Sequence, residues 1–370
     1  MIGSVAVCGV GRLGLPLALN FEKTGTVRVV GFDNNKMYVE KLNSHQFISD
    51  EPGVNELLAG SGMSFSADVH HVLSCEAALL CVRTDSLGSG EYDLSQLWSF
   101  MSLLKAGLQA SGDYALKYLI VNCNVNPGTT RLMAQQLAEY AIEVYFWPEW
   151  VKQGTILSDQ THPPVTVIGR LAENKGVDEV VSLVTTIDAN EKPADVRLLG
   201  LIEAEICKVS LNCFLTVKIS FANMVANLVE EIGLDPAQIL EALGHDPRIG
   251  GAFLKPGFGY GGPCLPRDNK ALIAFASDYG IDLPLCRAAD AVNEQRHQLL
   301  SKHAARAFHA SGELPAVETL SYKAGISIFT ESQQLRFSMQ MSKIGIPSAV
   351  SDKITLKRAM ADYGEKLIVL

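Results

Sequence analysis

The stretch SVAVCGVGRLGLPLALNFEKTG, Ser4–Gly25, decides the fold. Ser4–Cys8 is a short apolar run of β type, and Gly9, Val10, Gly11, Arg12, Leu13 and Gly14 form a G-x-G-x-x-G turn. The remainder carries apolar residues at helical spacing up to a closing glycine. Strand, glycine turn and helix in that order open a βαβ unit of the kind that binds a dinucleotide. In such a unit Gly9 makes the tight turn, Gly11 lets the backbone approach a pyrophosphate, and Gly14 lets the helix pack on the strand. The next β-type run, 27–32, ends at Asp33, nineteen residues beyond Gly14. A carboxylate there accepts hydrogen bonds from the adenosine ribose hydroxyls and repels a 2′-phosphate, which favours NAD over NADP. A doubly wound domain that binds no dinucleotide is the alternative reading of the same glycines.

Working outward, strand-like runs at 77–82, 118–122, 143–147 and 165–168 alternate with helical patterns, which predicts a parallel sheet with crossover helices. Their ends run into CVRTDS, NCNVNPGTT and WPEWVKQG, and ligands of open α/β sheets gather at such strand ends. From Leu198 the spacing is helical without a breaker for about thirty residues, roughly 45 Å of helix. That exceeds what one small domain covers and predicts a helix that spans domains or packs on a second copy, giving a homodimer. Lys208 and Asn212 lie four apart on it and share a face. Further helices are expected at 235–243, 269–279 and 285–310. After Pro315 a second, thin α/β segment follows, ending in the strand-like KLIVL. The expected organisation is α/β throughout: a Rossmann-type NAD domain over 1–197, a central helical and dimerisation domain over 198–300, and a short C-terminal α/β domain over 301–370.

Composition narrows the partners. A formal charge of −9 and a pI near 5.4 argue against nucleic acid. The eight cysteines are scattered without a C-x-x-C pair, so neither a disulfide framework nor a metal site is expected. With no basic leader and no run of 18 apolar residues, the expectation is a cytoplasmic protein without a membrane partner.

The second informative stretch is PGFGYGGPCLPRD, 256–268, with four glycines and three prolines around Cys264. Pro266 suits the first turn of a helix, which places Cys264 at the helix N-terminus, where the dipole favours a thiolate. Asp268 follows about one turn later. The pair reads as a nucleophilic cysteine with an acid–base carboxylate, or as a tight loop that carries a cysteine. Arg248 and Lys255 just upstream are cations suited to phosphates.

Taken together, GVGRLGLPLA, CVRTDS with GEYDLS, NPGTT, PEW with Gly154, AEICKVSLNCFLTVKISFANMVA, DPRIG, FLKPGFGYGGPCLPRD, LSYKAG and TES resemble the UDP-glucose/GDP-mannose 6-dehydrogenases, in that family's order along nearly the whole chain. The resemblance implies oxidation of the C6 alcohol of a nucleotide sugar to a carboxylate with two NAD, through a cysteine thiohemiacetal and thioester. It implies Cys264 as nucleophile, Asp268 as proton-transfer group, Lys208 and Asn212 as oxyanion stabilisers, and Glu149 as a contact to the reacting end and its water. It further implies cofactor contacts from Gly9 through Gly14, Asp33, Lys36, Cys81, Val82, Thr84 and Asn124. Substrate contacts are implied from Glu149, Trp150, Val151, Lys208, Asn212, Arg248, Phe253, Leu254, Phe258, Tyr260, Gly261, Cys264 and Lys323. GFGYGG leans towards UDP-glucose. The chain departs from the family pattern at Asn124, where a threonine is usual, and at Gln153, where an acid is usual. Asp85 and Pro263 stand where a proline and a serine are usual, and the C-terminal domain is expected to be shorter than the family's. A two-electron dehydrogenase on the same scaffold, and a binding protein without turnover, remain as alternative outcomes.

Overall fold

A computed structural model describes residues 1–369; Leu370, the last residue of the expected terminal strand, lies outside the described residues. The chain divides into two compact units, Met1–Lys208 and Val209–Leu370. In the first, eight strands form one sheet: β1 Ser4–Cys8, β2 Arg28–Phe32, β3 Ser64–Ser66, β4 Ala77–Leu80, β5 Tyr118–Val121, β6 Glu143–Phe146, β7 Thr166–Arg170 and β8 Val196–Gly200. Their order is β3-β2-β1-β4-β5-β6-β7-β8, with β1 parallel to both β2 and β4. The apolar runs are continuous because both faces are covered: Val5 and Val7 enter one core, Ala6 and Cys8 the other.

Two expectations need correction here. The sheet is not wholly parallel, since β7 runs antiparallel to β6 with Phe146 opposite Gly169. The helix between them, Ile156–Thr161, stays at the carboxyl end of the sheet. There Gln160 Nε2 donates to the carbonyl of Leu13, and Asn20 Nδ2 to that of Leu157, so the chain re-enters from that end. The long helix spans Leu201–Glu231 rather than starting at Leu198. Leu198, Leu199 and Gly200 belong to β8, where parallel pairing with β7 overrides an apolar pattern that fits either structure. The three-residue β3 carries too little pattern to be seen in sequence.

The second unit contains the rest of the long helix, the helices Pro236–Gly244, Leu265–Asp278 and Pro284–Ser311, and a two-stranded parallel sheet of β9, Ala316–Val317, and β10, Ala349–Val350. Asp235, Ser332 and Asp352 cap the helices Pro236–Gly244, Gln333–Lys343 and Lys353–Tyr363 by accepting backbone N–H bonds. Arg296, 1% exposed, binds Glu230 at 2.8 and 3.0 Å, Asn227 at 2.6 Å and the carbonyl of Gly257 at 2.7 Å. It thereby ties the start of the glycine-rich loop to the long helix. That loop's glycines serve close packing within the unit: a Cβ on Gly261 would lie 2.3 Å from the carbonyl oxygen of Glu331, and one on Gly262 2.6 Å from the Tyr322 ring.

The glycine turn separates packing from open space. A Cβ on Gly14 would fall 2.1 Å from the Gly9 carbonyl oxygen, a backbone atom that cannot swing aside, whereas one on Gly11 meets nothing within 4 Å. Gly14→Ala is expected to lose about 1–3 kcal/mol in urea unfolding, while Gly11→Ala unfolds as the parent does. Equal stability of the two variants would contradict this packing.

Candidate active site

The first unit presents a dinucleotide cradle. Gly9, at φ +90°, turns the chain off β1 and donates its N–H to Phe32 at 2.8 Å. The space beside Gly11 is open, and Tyr38 pins the turn by donating its hydroxyl to the carbonyl of Val10 at 2.8 Å. Asp33 leaves β2 half-buried; its carboxylate accepts the Asn35 N–H at 3.0 Å, and burial holds its carboxyl above the usual value. Lys36 opens the next helix and is exposed. Cys81, Val82 and Thr84 follow β4, and Asn124 follows β5, so the expected cofactor residues gather at the carboxyl ends of four adjacent strands. The bare turn at Gly11 with an acid at the neighbouring strand end fits an adenine dinucleotide.

Glu149 follows β6 and is 9% exposed. Burial raises its carboxyl from 4.5 to about 7, against the opposing effects of the Gln160 amide and the Lys208 charge. Lys208 Nζ donates to the Glu149 carbonyl at 2.6 Å and lies 4.8 Å from the centroid of the Trp150 ring. The Trp150 indole N–H is bound to Val165 at 2.8 Å. The loop itself is held by buried Glu51, which accepts the N–H groups of Gly154 and Ile156 at 2.9 and 2.7 Å. Arg12 of the glycine turn donates to Gln153 at 3.3 Å. Sequence reading missed Glu51, Gln160 and Asn20. The one signal was Asn20 itself, an amide inside an otherwise apolar helix.

The second unit presents the candidate nucleophile. Cys264 is the N-cap residue of the helix Leu265–Asp278 and is exposed, with Pro266 in the first turn. Asp268, one turn in, is fully buried. Its carboxylate accepts from Asn212 Nδ2 at 2.6 Å and from Arg267 Nε at 3.1 Å, and its N–H bonds the Cys264 carbonyl at 2.8 Å. Asn212 therefore faces the carboxylate of the acid–base candidate. Of the expected substrate residues, Arg248 is exposed and paired with Asp246 at 2.6 Å, and Phe253 and Lys323 are exposed. Leu254 packs with Ala222 and Leu240. Phe258 stacks edge-on with Phe337, centroids 5.5 Å apart, and the Tyr260 hydroxyl is bound to Asp290. Among the described residues, no group of three His, Cys, Asp or Glu is arranged to hold a metal.

Comparisons with known proteins agree across the chain. Residues 3–187 match the UDP-glucose/GDP-mannose dehydrogenase family, NAD binding domain, and residues 202–295 the central domain of the same family. The chain is 30% identical over 342 residues to UDP-glucose 6-dehydrogenase AglM of Haloferax volcanii, covering 90% of this chain and 79% of that protein. It is 26% identical over 367 residues to GDP-mannose 6-dehydrogenase of Azotobacter vinelandii, covering 94% and 80%. The solved UDP-glucose dehydrogenase of Pyrobaculum islandicum superposes with a TM-score of 0.86 at 28% identity, covering 100% of this chain and 86% of that one.

The raised carboxyl of Glu149 has a consequence for stability. Between 4.5 and about 7 the folded protein keeps a proton that the unfolded chain has released. The resulting stabilisation is complete below about 4.5 and is lost as the pH rises through about 7. Glu149→Gln, neutral throughout, should therefore gain on the parent by up to about 3 kcal/mol between pH 4.5 and pH 8 in urea unfolding. A pH-independent difference between the two would show that Glu149 titrates normally.

Proposed function

The chain belongs to the UDP-glucose/GDP-mannose dehydrogenase family, and from that premise we propose that it oxidises the C6 alcohol of a nucleotide sugar of the UDP-glucose kind to the uronate through Cys264. The observation that carries this reading is Cys264 at a helix N-cap, exposed, with Asp268 buried one turn behind it. Gly9, Gly11, Gly14 and Asp33 would hold NAD, which would supply the electron acceptor for both oxidation steps.

The residues divide the remaining work. The Cys264 sulfur, at the positive end of the helix dipole, adds to the C6 aldehyde and retains it as a thiohemiacetal, which the second oxidation converts to a thioester. Water cleaves the thioester, giving the carboxylate and returning the thiol. Asp268, oriented by Asn212 and Arg267, takes the proton that the attacking water gives up. Lys208 supplies positive charge to the oxygen that becomes anionic. Glu149, titrating close to neutrality, exchanges a proton with the substrate alcohol and its water. Arg248, paired with Asp246, and Lys323 are exposed cations of the sign that a diphosphate needs. Cys264→Ser should lose steady-state uronate formation by at least about a thousandfold while thermal stability and NAD binding stay unchanged. Near-normal uronate production by that variant contradicts the thioester route.

The protein is also read as a homodimer. The helix Leu201–Glu231 is, among the described residues, the one long and apolar enough to cross a membrane by length and composition. It is held instead by polar bonds. Buried Glu205 accepts from Gly128 and Thr130, and Lys218 donates to the carbonyls of Ile249 and Gly250, groups that hydrocarbon would leave unsolvated. Phe214, Phe221, Met224 and Leu228 on the same helix are 62%, 44%, 49% and 67% exposed, a stripe suited to a second copy. Sedimentation at micromolar concentration should give a dimer, and Leu228→Glu with Met224→Glu a monomer. A parent monomer contradicts this reading.

A further inference from the structure

The carboxylate of Glu149 is held by a chain of side-chain amides that the family resemblance did not include. Gln160 Nε2 lies 3.1 Å from both Glu149 oxygens and 3.2 Å from the carbonyl oxygen of Leu13, in the glycine turn. Asn20 Nδ2 donates to Gln160 Oε1 at 3.0 Å and to the carbonyl of Leu157 at 3.2 Å. Asn20, Gln160 and Glu149 are 6%, 4% and 9% exposed, so water does not compete freely for these bonds.

The orientation of both amides follows from elementary chemistry. Backbone carbonyls accept and never donate, so the Asn20 atom facing Leu157 must be its NH2. The Gln160 atom facing that NH2 must then be the carbonyl oxygen, which turns the Gln160 NH2 towards Glu149. The Leu13 carbonyl, also acceptor-only, demands the same end. Two carbonyls thus fix two amides without ambiguity, and Glu149 receives a donor rather than a second acceptor.

We infer that Gln160 is a positioning residue for Glu149, with Asn20 fixing which end of the Gln160 amide faces the carboxylate. This rests on the proposed function, in which Glu149 exchanges a proton with the substrate. A buried carboxyl without a donor stays protonated at neutral pH and cannot serve as a base; the Gln160 N–H restores access to the ionised form. The other groups facing Glu149 are Lys208, whose Nζ sits on the Glu149 carbonyl, and the Cys81 thiol at the end of β4, which burial keeps protonated. Glu51 holds the same loop through Gly154 and Ile156. Gln160 donates to both carboxylate oxygens. Because the same Nε2 also binds Leu13, the carboxylate is held in register with the turn that takes the pyrophosphate.

The test is an infrared pH titration of the full-length protein, following the carboxylic-acid band that disappears in Glu149→Gln. Gln160→Met keeps the volume and removes the donor. Its midpoint should rise by about one pH unit or more above the parent's. The acid limb of kcat should move up by the same amount, with KM for UDP-glucose within about twofold. Asn20→Leu, which removes one of the two groups that fix the Gln160 amide and leaves Leu13 as the other, should move the midpoint in the same direction by a smaller amount; it also serves if Gln160→Met does not fold. A midpoint within 0.3 units of the parent in both variants overturns the inference, whatever happens to turnover. A shifted midpoint in a protein whose parent forms no NADH from any nucleotide sugar overturns the proposed function and leaves the positioning role standing, so the two failures are distinct.

Discussion

The first unit depends on a contact that has no room for a side chain. The helix that begins at Gly14 sits so close to Gly9 that a Cβ would lie 2.1 Å from a carbonyl oxygen, and one on Gly9 would lie 2.9 Å from the carbonyl oxygen of Cys81. Three segments, the β1 end, the helix start and the β4 end, therefore meet backbone to backbone. That approach leaves Gly11 facing open space, which is the shape a pyrophosphate needs. It also places Leu13 where Gln160 can reach it. The dinucleotide turn and the Glu149 loop are in this way parts of one hydrogen-bonded assembly, joined by Gln160 to Leu13 and by Arg12 to Gln153. Gln153, where the resemblance implies an acid, accepts from Arg12 through its amide oxygen.

The two carboxylates of the proposed reaction have different surroundings. Glu149 sits in a desolvated site with one neutral amide donating to it, and its proton is shared between states close to neutral pH. Asp268 is more deeply buried and is paired with the guanidinium of Arg267 and the amide of Asn212. Environments that differ in this way assign different roles to chemically similar groups. Asn212 Nδ2 donates to Asp268 at 2.6 Å, so it orients that carboxylate.

Much of this was legible in the chain. The order of strand, G-x-G-x-x-G and helix predicted the cradle, and proline after Cys264 predicted the N-cap position, because both depend on local backbone rules. What escaped reading depends on tertiary pairing. The apolar LLG before the long helix suits strand or helix equally, and only the ladder with β7 decides it. The reversal of β7 follows from where Gln160 and Asn20 hold a six-residue helix. Glu51 and Gln160 are ordinary polar residues in sequence, and their importance comes from being buried beside backbone groups that need partners. Gly261 and Gly262 of the Cys264 loop are required by the neighbouring segment 322–331, a contact that no local pattern announces.

The central claim is that Cys264 retains the aldehyde so that one active protein carries out two successive oxidations. The most direct measurement is the number of NADH formed per nucleotide sugar consumed, with the product identified by mass spectrometry, using UDP-glucose and a panel of other UDP- and GDP-hexoses. The account predicts two NADH for each uronate and no free aldehyde. One NADH per sugar, with aldehyde released, would contradict it.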